Sequence, residues 1–293
     1  MMERYPGKIL LFGEYLVLDN HMGLASPLSS TYCALTDEIN PANTVPQNLS
    51  ISDIMKDWIA YCTNHDLSYI NQADWAKDVD QTLSLHSNIP IGYGLGSSGA
   101  LTACIYARYG EKTNDQNETR KRLAQMESFF HGKSSGIDPW VSFSKQSWLF
   151  QGKALHAVNE DKIAAFTDDC VLIDSGIARN TKSLVARFQM ERKQMKGWDE
   201  MVEVSNALAQ SFIANPTNPI NIQESLHRLS VLQRRDMSWL IPETIQGLWD
   251  EVLATGNAMK FCGAGGGGYF LLHDPVRQYD DLIAKHNLTA RKL

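Results

Sequence analysis

Residues 88–104 constrain the fold more than any other stretch of this chain, and they read NIPIGYGLGSSGALTAC. Gly92, Gly94 and Gly96 alternate along it, and glycine reaches positive φ and lets a ligand approach the backbone closely. A helix beginning near Ser98 would direct free N–H groups and the positive end of its dipole into this loop. Together these features predict a phosphate-binding loop; the structural alternative is a tight turn before a core helix.

Two common phosphate loops do not fit this stretch. No lysine follows the glycines, so the pattern G-x-x-x-x-G-K-[ST] is absent. Gly94, Gly96 and Gly99 formally match the dinucleotide pattern G-x-G-x-x-G. That match is weak, because about 20 residues further on the chain has a polar stretch, 112–118, and no acidic residue at the end of an apolar strand.

Composition excludes several classes of function. The chain has 293 residues, enough to bury a sizeable core as one large domain or two smaller ones. A formal net charge of −6 and the lack of a long Lys/Arg run argue against a nucleic-acid partner. The five cysteines are widely spaced without a C-x-x-C pair, which is typical of buried thiols in a reducing compartment. No apolar segment is long enough to span a bilayer, so we expect a cytoplasmic protein without a membrane partner.

Two charged residues interrupt the apolar run near the start of the chain. Lys8 and Glu14 flank Ile-Leu-Leu-Phe-Gly, and a buried strand would normally exclude both. We expect both to project where the run opens onto a cleft. The alternative for Lys8 is a position at the start of a strand, with its ammonium group in water.

A carboxylate also lies on an apolar helical stripe. The pattern from 117 to 130 is helical, with Leu123, Met126 and Phe130 on the face that carries Glu127. A carboxylate there must be paired, because desolvating it alone is very unfavourable. The partner is either a nearby Lys or Arg, or Mg²⁺, a hard cation that prefers oxygen donors and could share a serine hydroxyl of the glycine loop.

Two further motifs follow. Asp138 precedes Pro139, which predicts a helix start with Asp138 as the N-cap and Pro139 at the first helical position. Residues 260–272 read as a strand, a loop with four consecutive glycines and a second strand. Such a glycine run allows close backbone approach, and an ordinary hairpin is the alternative.

The remaining chain predicts a mixed α and β protein. Ser147 to Val158 predicts a hairpin, and the polar segment from Asn159 to Asp169 is expected to hold a domain boundary. Long helices are expected near 183–214, 221–239 and 243–254.

Four of these segments carry a resemblance to the GHMP kinases. The pattern P-x-G-x-G-L-G-S-S-[GA]-A occurs at 90–100, P-G-K-x-x-x-x-G-E-[YH] at 6–15, and K-x-[TC]-G-[AS]-G-G-G-G at 260–268. Within that group, the stretch H-G-x-[PS]-S-G-x-D at 131–138 resembles the mevalonate kinases. A fifth pattern, P-R-x-T-[KR]-x-L-V, is matched at 178–185 except that Ala178 replaces its proline.

The resemblance implies an α+β, two-domain GHMP kinase fold. The expected domains are residues 1–160, which would bind nucleotide and substrate, and residues 161–293, an α/β domain, with the active site in the cleft between them. The implied cofactors are ATP and Mg²⁺, and the implied reaction transfers the γ-phosphoryl group of ATP to the primary hydroxyl of mevalonate. The oligomeric state stays open, a homodimer included.

The resemblance also assigns roles to individual residues. Asp138 would be the catalytic base, and Lys8 would stabilise developing charge and keep Asp138 ionised. Ser98 and Glu127 would bind Mg²⁺. The residues expected at the nucleotide are Ser87, Gly92, Tyr93, Gly94, Leu95, Gly96, Ser97 and Ser98. The residues expected at the substrate are Lys8, Glu14, Arg179, Thr181 and Gly265.

This chain departs from the family pattern beside those positions. Gly99 stands where many relatives have Ala, Ser134 where many have Pro, and Pro139 where many have Asn. Two alternatives therefore remain: another GHMP kinase, such as a phosphomevalonate kinase, or a non-catalytic nucleotide-binding sensor. The presence of Lys8, Glu127 and Asp138 argues against the sensor.

Overall fold

The computed structural model describes residues 3–37, 51–81, 83–179, 181–213 and 220–293, without the side chains of 181 and 182. Its strands are β1 (Tyr5–Phe12), β2 (Gly23–Thr36), β3 (Ser84–Ser87), β4 (Trp148–Gln151), β5 (Ala154–Ala157), β6 (Cys170–Asp174), β7 (Ala258–Phe261), β8 (Tyr269–His273) and β9 (Thr289–Lys292). Its helices are α1 (Ile51–Asn64), α2 (Gln72–Gln81), α3 (Ser97–Tyr109), α4 (Gln116–His131), α5 (Ile137–Ser144), α6 (Glu160–Asp168), α7 (Thr181–Glu191), α8 (Trp198–Gln210), α9 (Ile222–Asp236), α10 (Glu243–Ala254) and α11 (Asp280–Lys285).

The chain forms two compact units that are interleaved in sequence. The first comprises residues 1–8, 27–90 and 95–146, and the second comprises 9–26, 91–94 and 147–293. Strands β1 and β2 therefore contribute residues to both units. The predicted ranges 1–160 and 161–293 describe consecutive segments and stay a prediction. The polar segment expected to hold their boundary forms α6.

Helices dominate the first unit. Its strand β3 pairs antiparallel with the end of β2, with Cys33 opposite Ser87. Helix α4 begins after Asp115, whose side chain accepts hydrogen bonds from the N–H groups of Asn117 and Glu118, as an N-cap does. The fully buried Trp58 of α1 donates from its indole nitrogen to the carbonyl of Met126 at 3.0 Å. This bond fixes α1 against α4, the helix that carries Glu127.

The second unit contains a four-stranded antiparallel sheet in the order β7-β8-β6-β9. Helices α9 and α10 pack on β7, and Trp249 of α10 contacts the rings of Phe261 and Phe270. Strand β4 pairs with β5 in the hairpin that the sequence predicts. This pairing and the sheet hold the second unit together around an aromatic core.

The single helix predicted over 183–214 is wrong. Helix α7 ends at Glu191, a short 3-10 turn covers Arg192–Gln194, and α8 begins at Trp198. The break is fixed from outside the segment, because the N–H of Gly197 donates to the carboxylate of Asp236 at 2.9 Å. None of the helices in the described ranges is both long and apolar enough to cross a membrane.

Candidate active site

Lys8 lies in β1, next to Leu95 of the segment that leads into α3. Its N–H donates to the carbonyl of Leu95 at 2.9 Å, and its ammonium nitrogen lies 3.0 Å from Oδ1 of Asp138. The side chain of Lys8 is 10% exposed and that of Asp138 is 36% exposed. The pair therefore holds a buried cation next to an accessible carboxylate.

Two glycines allow this approach. A Cβ on Gly96 would lie 2.8 Å from Cγ of Lys8, and a Cβ on Gly99 would lie 2.8 Å from the backbone carbon of Asp138. Gly96 is also the N-cap of α3, with a left-handed φ of 70°. The absence of side chains at these positions lets β1 and the first turns of α3 and α5 converge.

Asp138 is not the cap of α5, which corrects the helix-cap alternative. Helix α5 begins at Ile137, and its N-cap is Gly136, in the left-handed region with φ of 74°. Asp138 lies inside the first turn, and its carboxylate pairs with Lys8 instead of bonding the backbone of its own helix. The side chain is thus free of a capping role.

Glu127 of α4 is 4% exposed and lies beside the first turn of α3. Its Oε1 accepts a hydrogen bond from the hydroxyl of Ser98 at 3.1 Å, and its Oε2 accepts one from Ser134 at 2.5 Å. Among the described residues, Glu127 has no ion pair with a Lys or Arg. Burial raises the pKa of Glu127 to about 7, and the negative charge of Asp138 adds to this rise. The site thus has a carboxylate whose charge would be stabilised by a cation.

The donor set of Glu127 and Ser98 suits Mg²⁺. In the part of the chain that the structure describes, no cluster of three or more His, Cys, Asp or Glu residues could hold a metal. Mg²⁺ is usually bound by one or two carboxylates together with waters and the phosphates of a substrate. One carboxylate and one hydroxyl at a helix N-terminus match that requirement.

His131 is a further neighbour of this group. Its Nε2 lies 2.9 Å from the hydroxyl oxygen of Ser98. The only sequence signal for it is its place in the stretch 131–138.

Ser97 is the first residue of α3 and is half-buried. Ser87 is exposed at the end of β3, and its hydroxyl accepts a bond from the N–H of Ile89.

In the second unit, Glu14 is fully buried rather than open to a ligand. Its carboxylate pairs with the ammonium group of Lys260, and both side chains are at most 2% exposed. The next residue, Tyr15, donates from its hydroxyl to the carbonyl of Ala264 at 2.6 Å. Glu14 and Tyr15 together therefore anchor the glycine loop after β7. The role of Glu14 as a substrate contact stays a prediction.

Arg179 lies against two glycine segments of the second unit. Its N–H donates to the carbonyl of Gly92 at 3.3 Å, and its guanidinium donates to that of Gly265 at 3.4 Å. A Cβ on Gly94 would lie 1.7 Å from the guanidinium, so position 94 must be glycine while Arg179 keeps this place. The ring centroids of Tyr93 and Tyr269 lie 5.3 Å apart. Thr181 is the first residue of α7, and its side chain lies outside the described atoms.

Residues 63–145 match the family model of the GHMP kinases N terminal domain. Over these residues the chain is similar to the GHMP kinases. It is 24% identical to the mevalonate kinase of Methanothermobacter thermautotrophicus, an alignment that covers 96% of this chain and 92% of that protein.

Solved structures show the same fold. The Methanococcus jannaschii mevalonate kinase superposes with a TM-score of 0.67 at 18% identity, over 100% of this chain and 98% of that one. The Streptococcus pneumoniae phosphomevalonate kinase, in complex with phosphomevalonate and AMPPNP, superposes with a TM-score of 0.65 at 15% identity, over 100% of both chains. The α+β GHMP kinase fold expected from the sequence is confirmed.

Replacing Gly99 by alanine should destabilise the protein. The added methyl group would overlap backbone atoms of Asp138 and Pro139, and overpacking of this kind costs about 1–3 kcal/mol. Urea denaturation measures the loss. Gly247→Ala in α10 is the matched control, because the three atoms nearest to its new methyl group belong to the ring of His286, a side-chain end that can move. Equal urea midpoints for the two variants would show that α5 shifts to accept the methyl group without a loss of stability.

The pairing of Lys260 with Glu14 predicts a second stability effect. Lys260→Met leaves the Glu14 carboxylate buried without its cation, and breaking a buried pair in this way costs about 3–5 kcal/mol of unfolding free energy. The double variant Glu14→Gln with Lys260→Met removes both charges and should recover most of that loss. If the double variant is as unstable as the single one, the charge pair is not the cause.

Proposed function

We propose that this chain is an ATP-dependent kinase that phosphorylates the primary hydroxyl of mevalonate. The observation that carries the proposal is the pair of Lys8 with an accessible Asp138, formed in the same unit as Ser98 and Glu127. The similarity to a mevalonate kinase over 96% of the chain supports the choice of substrate.

Asp138 is the proposed general base. Its Oδ1 is held by Lys8, which leaves Oδ2 to accept the proton of the substrate hydroxyl. The hydroxyl oxygen of the substrate then attacks the γ-phosphorus. The ammonium group of Lys8 stabilises the negative charge that the transferred group carries. Phosphoryl transfer depends mainly on such positioning and charge stabilisation, so a fixed base–cation pair is the chemistry the reaction needs.

The first turn of α3 is the proposed phosphate site. The unpaired N–H groups at its start and the positive end of its dipole favour an anion, and residues 92–98 form the loop that precedes and opens it. Ser98 and Glu127 would hold Mg²⁺, which supplies positive charge to the phosphates when bound. Leu95 contributes through its carbonyl, which fixes the backbone of Lys8 below this loop.

The proposed substrate contacts in the second unit are Arg179, Thr181 and Gly265. The burial of Glu14 against Lys260 argues against a direct contact of Glu14 with the substrate. Arg179 is the natural partner for the carboxylate of mevalonate, since a guanidinium binds carboxylates through paired hydrogen bonds. Its present bonds to glycine carbonyls keep its position defined.

Phosphomevalonate is the second candidate substrate. The phosphomevalonate kinase from Streptococcus pneumoniae is about as similar in fold as the mevalonate kinases, so fold does not separate the two substrates. The motif at 131–138 favours mevalonate.

A coupled assay of ADP release tests the function. Mevalonate, phosphomevalonate, galactose and homoserine are supplied in turn with ATP and Mg²⁺. We expect the highest kcat/KM with mevalonate. A higher kcat/KM with phosphomevalonate would mean that phosphomevalonate is the substrate, and the proposed phosphoryl transfer would stand. Nucleotide binding without ADP release for any alcohol would instead indicate the sensor.

Asp138→Asn should abolish most turnover and leave the fold intact. Asparagine can still accept a hydrogen bond from Lys8 but cannot take the substrate proton, and general-base help is worth about 10²–10⁴ in rate. We expect kcat to fall at least about a hundredfold, with ATP binding retained. Asp199→Asn removes an exposed carboxylate from the first turn of α8 and serves as the control. Turnover near that of the unmodified protein in Asp138→Asn would require a different base.

A further inference from the structure

Ser134 is a hydroxyl donor whose direction is fixed by its surroundings. Its oxygen accepts a hydrogen bond from the N–H of Gly136 at 2.9 Å. A serine hydroxyl carries a single proton, and with the oxygen accepting from Gly136 that proton is directed to Oε2 of Glu127, 2.5 Å away. The bond between Ser134 and Glu127 therefore has one defined donor and one defined acceptor.

The segment that carries Ser134 is fastened to the helix that carries Glu127. The N–H of Ser134 donates to the hydroxyl of Ser128, which in turn donates to the carbonyl of Ala124 one turn earlier in α4. A Cβ on Gly136 would lie 2.6 Å from the carbonyl oxygen of Arg120, so this turn packs directly on α4. The donor and its acceptor are thus held at a fixed separation.

This arrangement gives the two oxygens of Glu127 different environments. Oε2 is taken by Ser134, whereas Oε1 lies on the side of Ser98. A cation next to Ser98 therefore meets one carboxylate oxygen and not both. Mg²⁺ prefers one oxygen from each carboxylate in a strict octahedron, whereas Ca²⁺ readily takes both oxygens in a larger and looser shell.

We propose that Ser134 is a positioning residue that holds Glu127 in a one-oxygen orientation and so makes the site prefer Mg²⁺ over Ca²⁺. The proposal rests on the proposed function, because it concerns the cation that accompanies the nucleotide. The bond requires a side-chain hydroxyl at position 134, which most residue types lack.

The test measures binding of AMPPNP, a non-hydrolysable ATP analogue, by calorimetry with either Mg²⁺ or Ca²⁺. No turnover is involved. In Ser134→Ala, Oε2 is released, and we expect Mg²⁺-supported affinity to fall about tenfold or more, the usual effect of removing a residue that orients a metal ligand. Ca²⁺-supported affinity should fall much less, so the preference for Mg²⁺ declines.

Three further variants separate the hydroxyl from its surroundings. Ser134→Thr keeps a hydroxyl and should retain the preference, whereas Ser134→Val has nearly the same shape without one and should lose it. This comparison decides the question even if Ser134→Ala is poorly folded. Ser135→Ala is the control, because the hydroxyl of Ser135 bonds the N–H of Ile137 and not Glu127.

Each outcome has a defined meaning. An unchanged Mg²⁺-to-Ca²⁺ preference in Ser134→Val, or an equal loss with both cations, overturns the role of Ser134 while the proposed function stands. If the unmodified protein binds AMPPNP equally well with and without a divalent cation, the proposed metal site itself fails and the inference fails with it.

Discussion

The arrangement of the first unit depends on one requirement, that the ammonium group of Lys8 be paired. A cation that is almost withdrawn from water needs a carboxylate partner, and Asp138 supplies it. To make that contact, the start of β1 and the first turns of α3 and α5 must converge. Glycine at 96 and 99 removes the side chains that would keep these three backbones apart.

The second unit uses the same kind of pair for a different purpose. Glu14 and Lys260 are both closed off from solvent, so their charges stabilise each other and hold the loop after β7. In the first unit the carboxylate stays accessible and can act on a ligand. The difference in exposure between the two carboxylates, and not the presence of a charge pair, distinguishes the candidate catalytic group from the structural one.

Local sequence predicts the parts of the site that depend on short motifs. The glycine loops, the helix after Gly96 and the contact between Ser98 and Glu127 follow from spacing, composition and family resemblance, and the structure places these residues as expected. The roles of these residues in catalysis and binding remain proposals.

The errors occur where distant residues decide local structure. Gly136 caps α5 because it packs on Arg120, and the helix expected over 183–214 breaks where Gly197 meets Asp236. Arg120 and Asp236 are distant in sequence from the glycines that they contact, so no local pattern predicts these contacts. Ser134 and Glu127 are only seven residues apart, but their hydrogen bond depends on how the turn folds back on α4, which the local pattern does not predict.

The interleaving of the two units has a consequence for how the protein is made. Lys8 leaves the ribosome before its partner Asp138, which belongs to a segment synthesised much later. Closing so long a loop carries an entropic cost, and contacts between distant residues form slowly. No single cut through the chain separates one unit from the other, since the segments of the two units alternate along the sequence. The nascent chain must therefore keep Lys8 hydrated until α5 has emerged, so Lys8 is synthesised well before it can be buried.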